Sequence, residues 1–281
     1  IARYLSLTTL HTLASGSSGN ALVISCGETH LLVDAGISCR RITLGLQALG
    51  LAPADLDAIF ITHTHTDHIS GLSTLFKRTT CPIRTTERVC RELEYRIAGL
   101  ADRFLPLTYC RPCGEASFTV TAFPTSHDAP GSCGFRFDTA DGSVGVLTDT
   151  GYVTEEASDL LAGVNLAVLE ANHDVESLRS GPYPYYLKQR ILGAEGHLCN
   201  EDAARFAAAL ARSGTSEVVL AHLSRENNTP AMALHAVESA LCAAGLPPCT
   251  EGSSTGPRVT IAPREALSEA HVVARRGLCR R

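Results

Sequence analysis

The chain has 281 residues, of which 44% are hydrophobic and 19% are charged, and its net charge is −5. This length and composition are typical of a globular protein with one large domain or two modest ones. No basic field covers the whole molecule, so composition alone neither indicates nor excludes a nucleic-acid partner.

The sequence gives no sign of membrane insertion or secretion. No apolar run approaches the ~20 residues of a membrane helix, and the first residues lack the basic and long apolar segments of a signal peptide. The 11 cysteines cannot all pair, and we expect free thiols in a reducing cytoplasm. Cys110 and Cys113 form a lone CxxC, which is a weak zinc or redox signal and more typical of ordinary loop cysteines.

Short apolar runs are predicted to form buried strands along the whole chain. An early hairpin consists of LHTLAS, the turn GSSG and NALVIS, and HLLVD follows after a second turn. Later runs end abruptly in His or Asp, and they are AIFITH, FTVTAFPTSH, VGVLTD, LAVLEANHD and VVLAH.

Helices are predicted between these runs, at residues 39–50, 87–99, 201–214 and 229–245. Asn200 is the expected N-cap of the third, and a proline lies near the start of the fourth. Strands mixed with helices predict an α/β fold, in which functional residues lie where strands end. We expect a single domain over 1–281, with 264–281 as a basic C-terminal tail whose last segment, ARRGLCRR, is a frayed and solvated end.

The most informative stretch is FITHTHTDHISGL, at residues 60–72, which contains His63, His65, Asp67 and His68. Imidazole and carboxylate are ligands of zinc, manganese or iron. Alternate side chains of an extended segment point to one side, so His63 and His65 can hold one metal. A helix beginning at the residue after His68 would turn Asp67 and His68 toward a second metal.

Three further residues of ligand type, His127, Asp149 and His222, end other predicted strands. An unpaired buried His or Asp is costly, so their repeated placement favours a two-metal site over incidental polar residues.

These segments resemble the metallo-β-lactamase-fold hydrolase superfamily. The matching motifs are LLVDAG, THTHTDHISGL, SH at 126–127, LTDTG and LAHLS, and the resemblance extends roughly from Leu13 to Val259. It implies a four-layer αββα sandwich with two metals at one edge. Asp149 would bridge the metals, and Asp34 would fix the ligand loop without touching either. The implied ligands are His63, His65 and His127 for the first metal, and Asp67, His68 and His222 for the second.

Finer matches resemble the YycJ/WalJ group, which is regarded as cytoplasmic 5′–3′ DNA exonucleases. They are ASGSSGN at 14–20, LEANHD at 169–174, GHLCN at 196–200 and HLSRENN at 222–228. Cys199 departs from the pattern, because Ser is expected there. The group implies two divalent metals, of Zn, Mn or Fe identity, that hold hydroxide for attack on a phosphodiester of DNA.

Catalytic roles are expected for Asp67, which would orient or deprotonate the attacking water, and for His197, which would donate a proton or stabilise developing charge. His173 would also reach the scissile phosphate, together with Asn172. The alternative for both histidines is an ordinary structural role.

A glycine-bearing turn and a tyrosine-rich segment are further candidates for substrate contact. Ser17, Ser18 and Asn20 could offer backbone N–H groups to a phosphate, although a plain hairpin turn is the alternative. The segment RSGPYPYYLKQR, at 179–190, has three tyrosines and three cations that suit a nucleic acid. Its alternative is a proline-containing loop that leads into a helix.

Three rival functions remain open. The first is a small-molecule hydrolase of the same fold, acting on a thioester, lactone or β-lactam. The second is an RNA-processing nuclease. It would have to be a compact one, because too few residues separate Asp149 from His222 for the inserted domain of the large nucleases. The third is a non-catalytic metal-binding protein. Every expected ligand position is intact, so the sequence gives no support for a loss of catalysis. The sequence gives no indication of oligomeric state.

Overall fold

Two β-sheets form the centre of the protein, for which a computed structural model describes residues 7–249 and 256–273. The strands of the first sheet are Thr9–Ala14 (β1), Ala21–Cys26 (β2), Thr29–Val33 (β3), Ala58–Phe60 (β4), Ile83–Arg84 (β5) and, near the end of the chain, His271–Val272 (β13). Those of the second are Cys113–Glu115 (β6), Phe118–Pro124 (β7), Cys133–Asp138 (β8), Ser143–Leu147 (β9), Leu166–Glu170 (β10), Glu217–Ala221 (β11) and Arg258–Ile261 (β12). The strand orders are β13-β1-β2-β3-β4-β5 and β12-β11-β10-β9-β8-β7-β6.

Helices connect the strands and cover the sheets. They are Cys39–Ala48 (α1), Thr66–Ile69 (α2), Leu72–Leu75 (α3), Glu87–Arg96 (α4), Glu155–Leu161 (α5), Val175–Ser180 (α6), Tyr185–Leu192 (α7), Asn200–Ser213 (α8) and Pro230–Ala243 (α9), with short 3-10 turns at Pro53–Asp55 and Ala101–Arg103. None of these helices within the described ranges is both long and apolar enough to cross a bilayer.

Both faces of the central strands are buried, which explains their continuous apolar runs. On β10, Leu166 and Val168 pack into the core between the two sheets, whereas Ala167 and Leu169 pack outward against α5, α8 and α9. On β2, Ile24 likewise faces the other sheet, and Val23 packs outward with residues of α1 and α4. Three apolar cores thus separate four layers, and the predicted αββα sandwich is confirmed.

Two expected helix starts are wrong. The helix after the histidine-rich loop begins at Thr66 rather than at Ile69, because the chain turns directly after His65. The helix predicted to be capped by Asn200 instead includes it, with Cys199 at the cap position. The Asn200 side chain is used elsewhere, because its amide donates to Oδ1 of Asn228 at 3.0 Å.

The first part of the predicted tail over 264–281 joins the first sheet. His271 pairs with Leu10 of β1 in the register of β13, and Val273 is buried and donates its backbone N–H to the carbonyl of Thr8. Residues 274–281, which contain the four arginines of the segment ARRGLCRR, lie outside the described residues.

Candidate metal centre

The strand topology gathers the predicted ligand residues at one edge. Strands β3 and β4 are parallel, as are β9, β10 and β11. Parallel strands end at a common edge of a sheet. Asp34, His63, Asp149 and His222 follow the ends of β3, β4, β9 and β11, respectively.

Three of these residues have left-handed backbone conformations. The φ angles are +60° at Asp34, +57° at Asp149 and +55° at His222. Such angles are uncommon for residues other than glycine, and they cost roughly 1–3 kcal/mol each. Here they turn the chain sharply at a strand end, so that each side chain lies within the cluster rather than along the strand.

Overlapping groups of side chains can each hold a metal ion, with candidate ligand atoms within 4.8 Å of one another. All seven predicted ligands belong to them, and Asp149 belongs to two. The groups within the described residues are His63, His65 and His127; His63, His68 and Asp149; Asp67, His68 and His222; and Asp149, Glu170, His197 and His222.

Each ligand-type histidine has one ring nitrogen in the cluster and the other against a protein oxygen. The outer contacts are His63 Nδ1 to Thr62 Oγ1 at 3.0 Å, His65 Nε2 to Asp128 Oδ1 at 3.4 Å, His68 Nδ1 to Asp34 Oδ2 at 2.7 Å, His127 Nδ1 to the Gly196 carbonyl at 3.0 Å, and His222 Nδ1 to Glu170 Oε1 at 3.0 Å. Partners of this kind fix the tautomer and orientation of metal-ligating histidines.

Two buried atoms inside the cluster test whether the site suits a cation. Nε2 of His63 makes no hydrogen bond with any described residue, and Oδ2 of Asp149 faces Nε2 of His68 at 3.2 Å. Unsatisfied buried polar atoms are rare and costly. An imidazole nitrogen and a carboxylate oxygen are both ligands for a divalent cation, so the residues present fit such an ion.

The charges of the site also favour a bound cation. Burial opposes a charge on His222, but Asp149, Asp67 and Glu170 outweigh it and raise its pKa to about 10. Burial likewise opposes a charge on His68, yet Asp149 and Asp34 hold its pKa well above its usual value. In the metal-free chain, protons on these rings therefore balance the buried carboxylates, and a metal ion would replace them.

Glu170 is a site residue that sequence reasoning missed. It is the last residue of β10 and is fully buried. Its Oε1 accepts hydrogen bonds from Nδ1 of both His197 and His222, and its Oε2 accepts from the backbone N–H groups of Thr150 and Leu198. Although burial opposes ionisation, His197 and His222 lower the Glu170 pKa to about 2. The available signal was a glutamate at the end of an apolar strand.

His197 lies beside the cluster, and its catalytic role stays a prediction. Its Nδ1 is 2.8 Å from Oε1 of Glu170 and 3.6 Å from Oδ1 of Asp149. Its ring centroid lies 5.0 Å from that of His127 and 5.3 Å from that of His222. Its side chain is partly exposed, and Nε2 makes no hydrogen bond with the described residues.

The predicted substrate residues of the early turn differ in position. Ser17 and Ser18 are exposed at its tip. Asn20 is buried, and its side chain bonds the backbone of Gly16 and the carbonyl of Asp67. The backbone N–H of Asn20, which was expected to face a phosphate, donates to the carbonyl of Asp67 at 2.8 Å and holds the turn against the ligand loop.

Asn172 and His173 are buried, and their contact with a substrate stays a prediction. The Asn172 amide donates to the His222 carbonyl at 2.9 Å. His173 is 1% exposed, and neither ring nitrogen has a partner among the described residues. Burial lowers the His173 pKa to about 4, so the ring is neutral.

Two sequence candidates lie outside the cluster. The segment at 179–190 forms the end of α6, a turn and most of α7, and it exposes Tyr185 and Tyr186. Cys110 and Cys113 belong to none of the metal-sized groups found in the described ranges.

The chain matches the family model described as the beta-lactamase superfamily domain over residues 29–223. It is 36% identical over 230 residues to Exodeoxyribonuclease YycJ of Bacillus anthracis, covering 82% of this chain and 87% of the relative. It is 39% identical over 226 residues to Exodeoxyribonuclease WalJ of Streptococcus pneumoniae, with coverages of 79% and 83%. A more distant relative is Ribonuclease Z of a Mycobacterium species, 29% identical with coverages of 73% and 78%.

Solved structures share the fold at low sequence identity. The metallo-beta-lactamase fold protein YhfI of Bacillus subtilis aligns with a TM-score of 0.70 and 18% identity, over 94% of this chain and all of the other. The short form of human tRNase Z aligns with a TM-score of 0.62 and 20% identity, over 93% and 98%. With its motifs, two sheets and clustered ligands, the chain belongs to the beta-lactamase superfamily and is a hydrolase of the metallo-β-lactamase fold.

Proposed function

We propose that this chain is a two-metal phosphodiesterase that removes nucleotides from DNA as a 5′–3′ exonuclease. The ligand geometry and the partly exposed His197 beside it support hydrolysis of a phosphodiester. The names of the YycJ and WalJ relatives support a deoxyribonuclease. The 5′–3′ polarity rests on the resemblance of the sequence motifs to that group.

The proposed ligands follow the overlapping groups of the cluster. Asp149 would bridge the ions, because its Oδ2 is 3.2 Å from His68 Nε2 and its Oδ1 is 3.8 Å from His127 Nε2. The first ion would be held by His63, His65 and His127, and the second by Asp67, His68 and His222. This set of nitrogen and carboxylate ligands suits Zn(II), Mn(II) or Fe(II).

Two such cations, when bound, supply Lewis-acid activation of water and neutralise the charge of a phosphate in an in-line displacement. Asp67 is the carboxylate at the rim of the site, with Oδ2 3.4 Å from Nε2 of His222. Hydrogen bonding to His222 outweighs burial and lowers the pKa of Asp67, so it is ionised. It can therefore orient the attacking water and accept its proton.

The observation that carries the proposal is the placement of His197. Glu170 accepts the Nδ1 proton of this ring, which leaves Nε2 on the open side of the site. In its imidazolium form the ring also carries a proton on Nε2, and this proton can pass to the sugar oxygen that leaves the phosphorus, as in general acid catalysis. A binding protein would have no use for a proton donor held beside its metal ligands.

RNA is the second candidate substrate, because the chain is also related to ribonuclease Z over most of its length. DNA is preferred on the higher identity to the exodeoxyribonucleases. We also place the protein in the cytoplasm, with no membrane partner. Nine cysteines in the described part of the chain, from Cys26 to Cys242, are free thiols, which supports a reducing compartment.

The test incubates the purified protein with Mn(II) or Zn(II) and 3′-labelled or 5′-labelled DNA duplex, single-stranded DNA and RNA of the same sequence. We expect DNA to shorten from its 5′ end, and the Asp67→Ala variant to be inactive. Cleavage of RNA alone would replace DNA with the second candidate. If no nucleic acid is cut but a thioester or lactone is, the metal site stands and the nuclease proposal fails.

A further inference from the structure

Arg190 of α7 contacts Asp128, and this carboxylate also lies beside the metal-ligating cluster. Its Nη2 is 3.1 Å from Oδ1 of Asp128, and its Nε contacts Oδ2. The same Oδ1 is 3.4 Å from Nε2 of His65 and 3.6 Å from Nε2 of His127. Nη1 of Arg190 takes no part in the ion pair with Asp128, and the Arg190 side chain is 51% exposed.

The chain holds α7 in a fixed position next to the site. The loop that follows the helix, residues 193–196, is bonded to the segment that carries His127. The bonds are Ser126 Oγ to the Ala194 carbonyl at 2.8 Å, Asp128 N to the Glu195 carbonyl at 3.1 Å, and His127 Nδ1 to the Gly196 carbonyl at 3.0 Å. Arg190 is therefore positioned by the same segment that supplies a candidate metal ligand.

The outer face of α7 combines aromatic rings with positive charge. Tyr186 and Arg190 are four residues apart on the helix, so they lie on one face. Tyr185 and Tyr186 are 77% and 73% exposed, whereas Ile191 is buried and anchors the opposite side. The helix also carries Lys188 and has no acidic residue.

A surface cavity of about 530 Å³ adjoins Arg190 and Asp128 at the end of this helix. Its lining residues are Asp128, Gln189, Arg190, Gly193, Ala194 and Glu195. This volume is within the range of small-molecule sites.

We infer that α7 is the surface on which the substrate strand docks beside the scissile bond, with Arg190 binding the neighbouring phosphate and Tyr186 stacking on an unpaired base. This inference rests on the proposed nuclease function. A guanidinium presents its donors in the planar arrangement that phosphate oxygens accept. Stacking on an exposed ring requires an unpaired base, so the occupant is a single-stranded end.

The test measures kcat and KM of the metal-loaded protein on a short single-stranded DNA, over a series of salt concentrations. We expect Arg190→Ala to raise KM about 10-fold and to reduce the slope of log(kcat/KM) against log[salt] by about 1. Arg190→Lys should keep that slope. Tyr186→Ala should raise KM without changing the slope, and Tyr186→Phe should restore KM.

Arg258→Ala is the matched control. Arg258 is also 51% exposed and paired with a carboxylate, Glu217, but it lies where β12 begins, at the opposite edge from the site. We expect this variant to behave as the parent. Metal content is measured for every variant, because Arg190 also contacts Asp128.

The possible failures are distinguishable. If the parent cuts no nucleic acid, the proposed function fails and this inference fails with it. If the parent cuts DNA and Arg190→Ala keeps its KM and salt slope, only the inference is wrong. Loss of bound metal with lower kcat and unchanged KM would also overturn it, because Arg190 would then act only through Asp128.

Discussion

Oε1 of Glu170 lies 2.8 Å from Nδ1 of His197 and 3.0 Å from Nδ1 of His222. One buried oxygen therefore holds both the proposed proton donor and a proposed metal ligand. The other oxygen of the same carboxylate accepts two backbone N–H groups, which prevents the carboxylate from rotating away. Both rings are thus fixed with Nε2 directed to the site.

Glu170→Gln should move the proton of both rings from Nδ1 to Nε2. The amide oxygen would accept the two backbone N–H groups, and the NH₂ group would then face the rings and require unprotonated Nδ1 atoms. Nε2 of His222 would carry the proton and could not bind a metal. We expect kcat to fall about 10²–10⁴-fold and metal affinity about 10–100-fold.

The matched control for this variant is Glu217→Gln, which alters another buried glutamate–histidine pair. Oε1 of Glu217 lies 2.7 Å from Nδ1 of His271, at the strand-start edge far from the ligands. Turnover and bound metal should be unchanged there. A Glu170→Gln enzyme with parental kcat and metal content would contradict the role assigned to Glu170.

Asp34→Asn should weaken the second metal. Asp34 Oδ2 accepts the Nδ1 proton of His68, and Oδ1 accepts the backbone N–H of Thr62. Asparagine tolerates the positive φ of this position, so the variant changes the hydrogen bond rather than the backbone. We expect metal affinity about 10–100-fold lower by competition with a chelator, and Asp138→Asn, in an ion pair with Arg136, to bind metal as the parent does.

The metal-free protein should become less stable as pH rises above neutrality. Burial opposes charge on His68 and His222, but neighbouring carboxylates raise both pKa values, that of His222 from 6.5 to about 10. A raised folded-state pKa gives stability that is complete below the unfolded value and is lost as pH rises through the folded one. Each proton retained only in the folded state lowers the unfolding free energy by about 1.4 kcal/mol per pH unit.

Urea unfolding in a chelator, between about pH 7 and 8 to remain below the ordinary thiol pKa of about 8.5, measures this loss. His222→Gln should reduce the slope. Metal binding has the opposite dependence, because the ions displace these protons, and affinity should rise with pH over the same range. A flat stability profile would show that the rings are neutral without metal.

Gly36→Ala should disrupt the ligand loop. A Cβ atom at Gly36 would lie 1.6 Å from the backbone oxygen of Asp67, and the Gly36 N–H donates to the Asn20 carbonyl. The backbone cannot yield without moving Asp67, so we expect several kcal/mol of destabilisation and loss of bound metal. Gly114→Ala, which meets no atom within 4 Å, is the neutral control, and thermal unfolding with metal analysis measures both.

The fold was predictable because its central strands are buried on both faces, as continuous apolar runs such as LAVLE indicate. The gathering of Asp149 and His222 was predictable because parallel strands end at one edge. The role of Glu170 was not predictable, because it depends on a contact with His197. His197 lies 27 residues further along the chain and reaches Glu170 through a loop. The pairing of His271 with Leu10 was also beyond local pattern, because no short-range signal connects the two ends of a chain.

The left-handed backbone at Asp34, Asp149 and His222 also affects the conformational stability of the chain. Each of the three residues is held in a conformation that glycine adopts without cost. Glycine at any of them should therefore relieve strain and remove a side chain that the chemistry needs. These three residues therefore lower the free energy of unfolding of the metal-free protein. Bound metal would compensate for this loss, so metal-free molecules should unfold at a lower temperature than metal-bound ones.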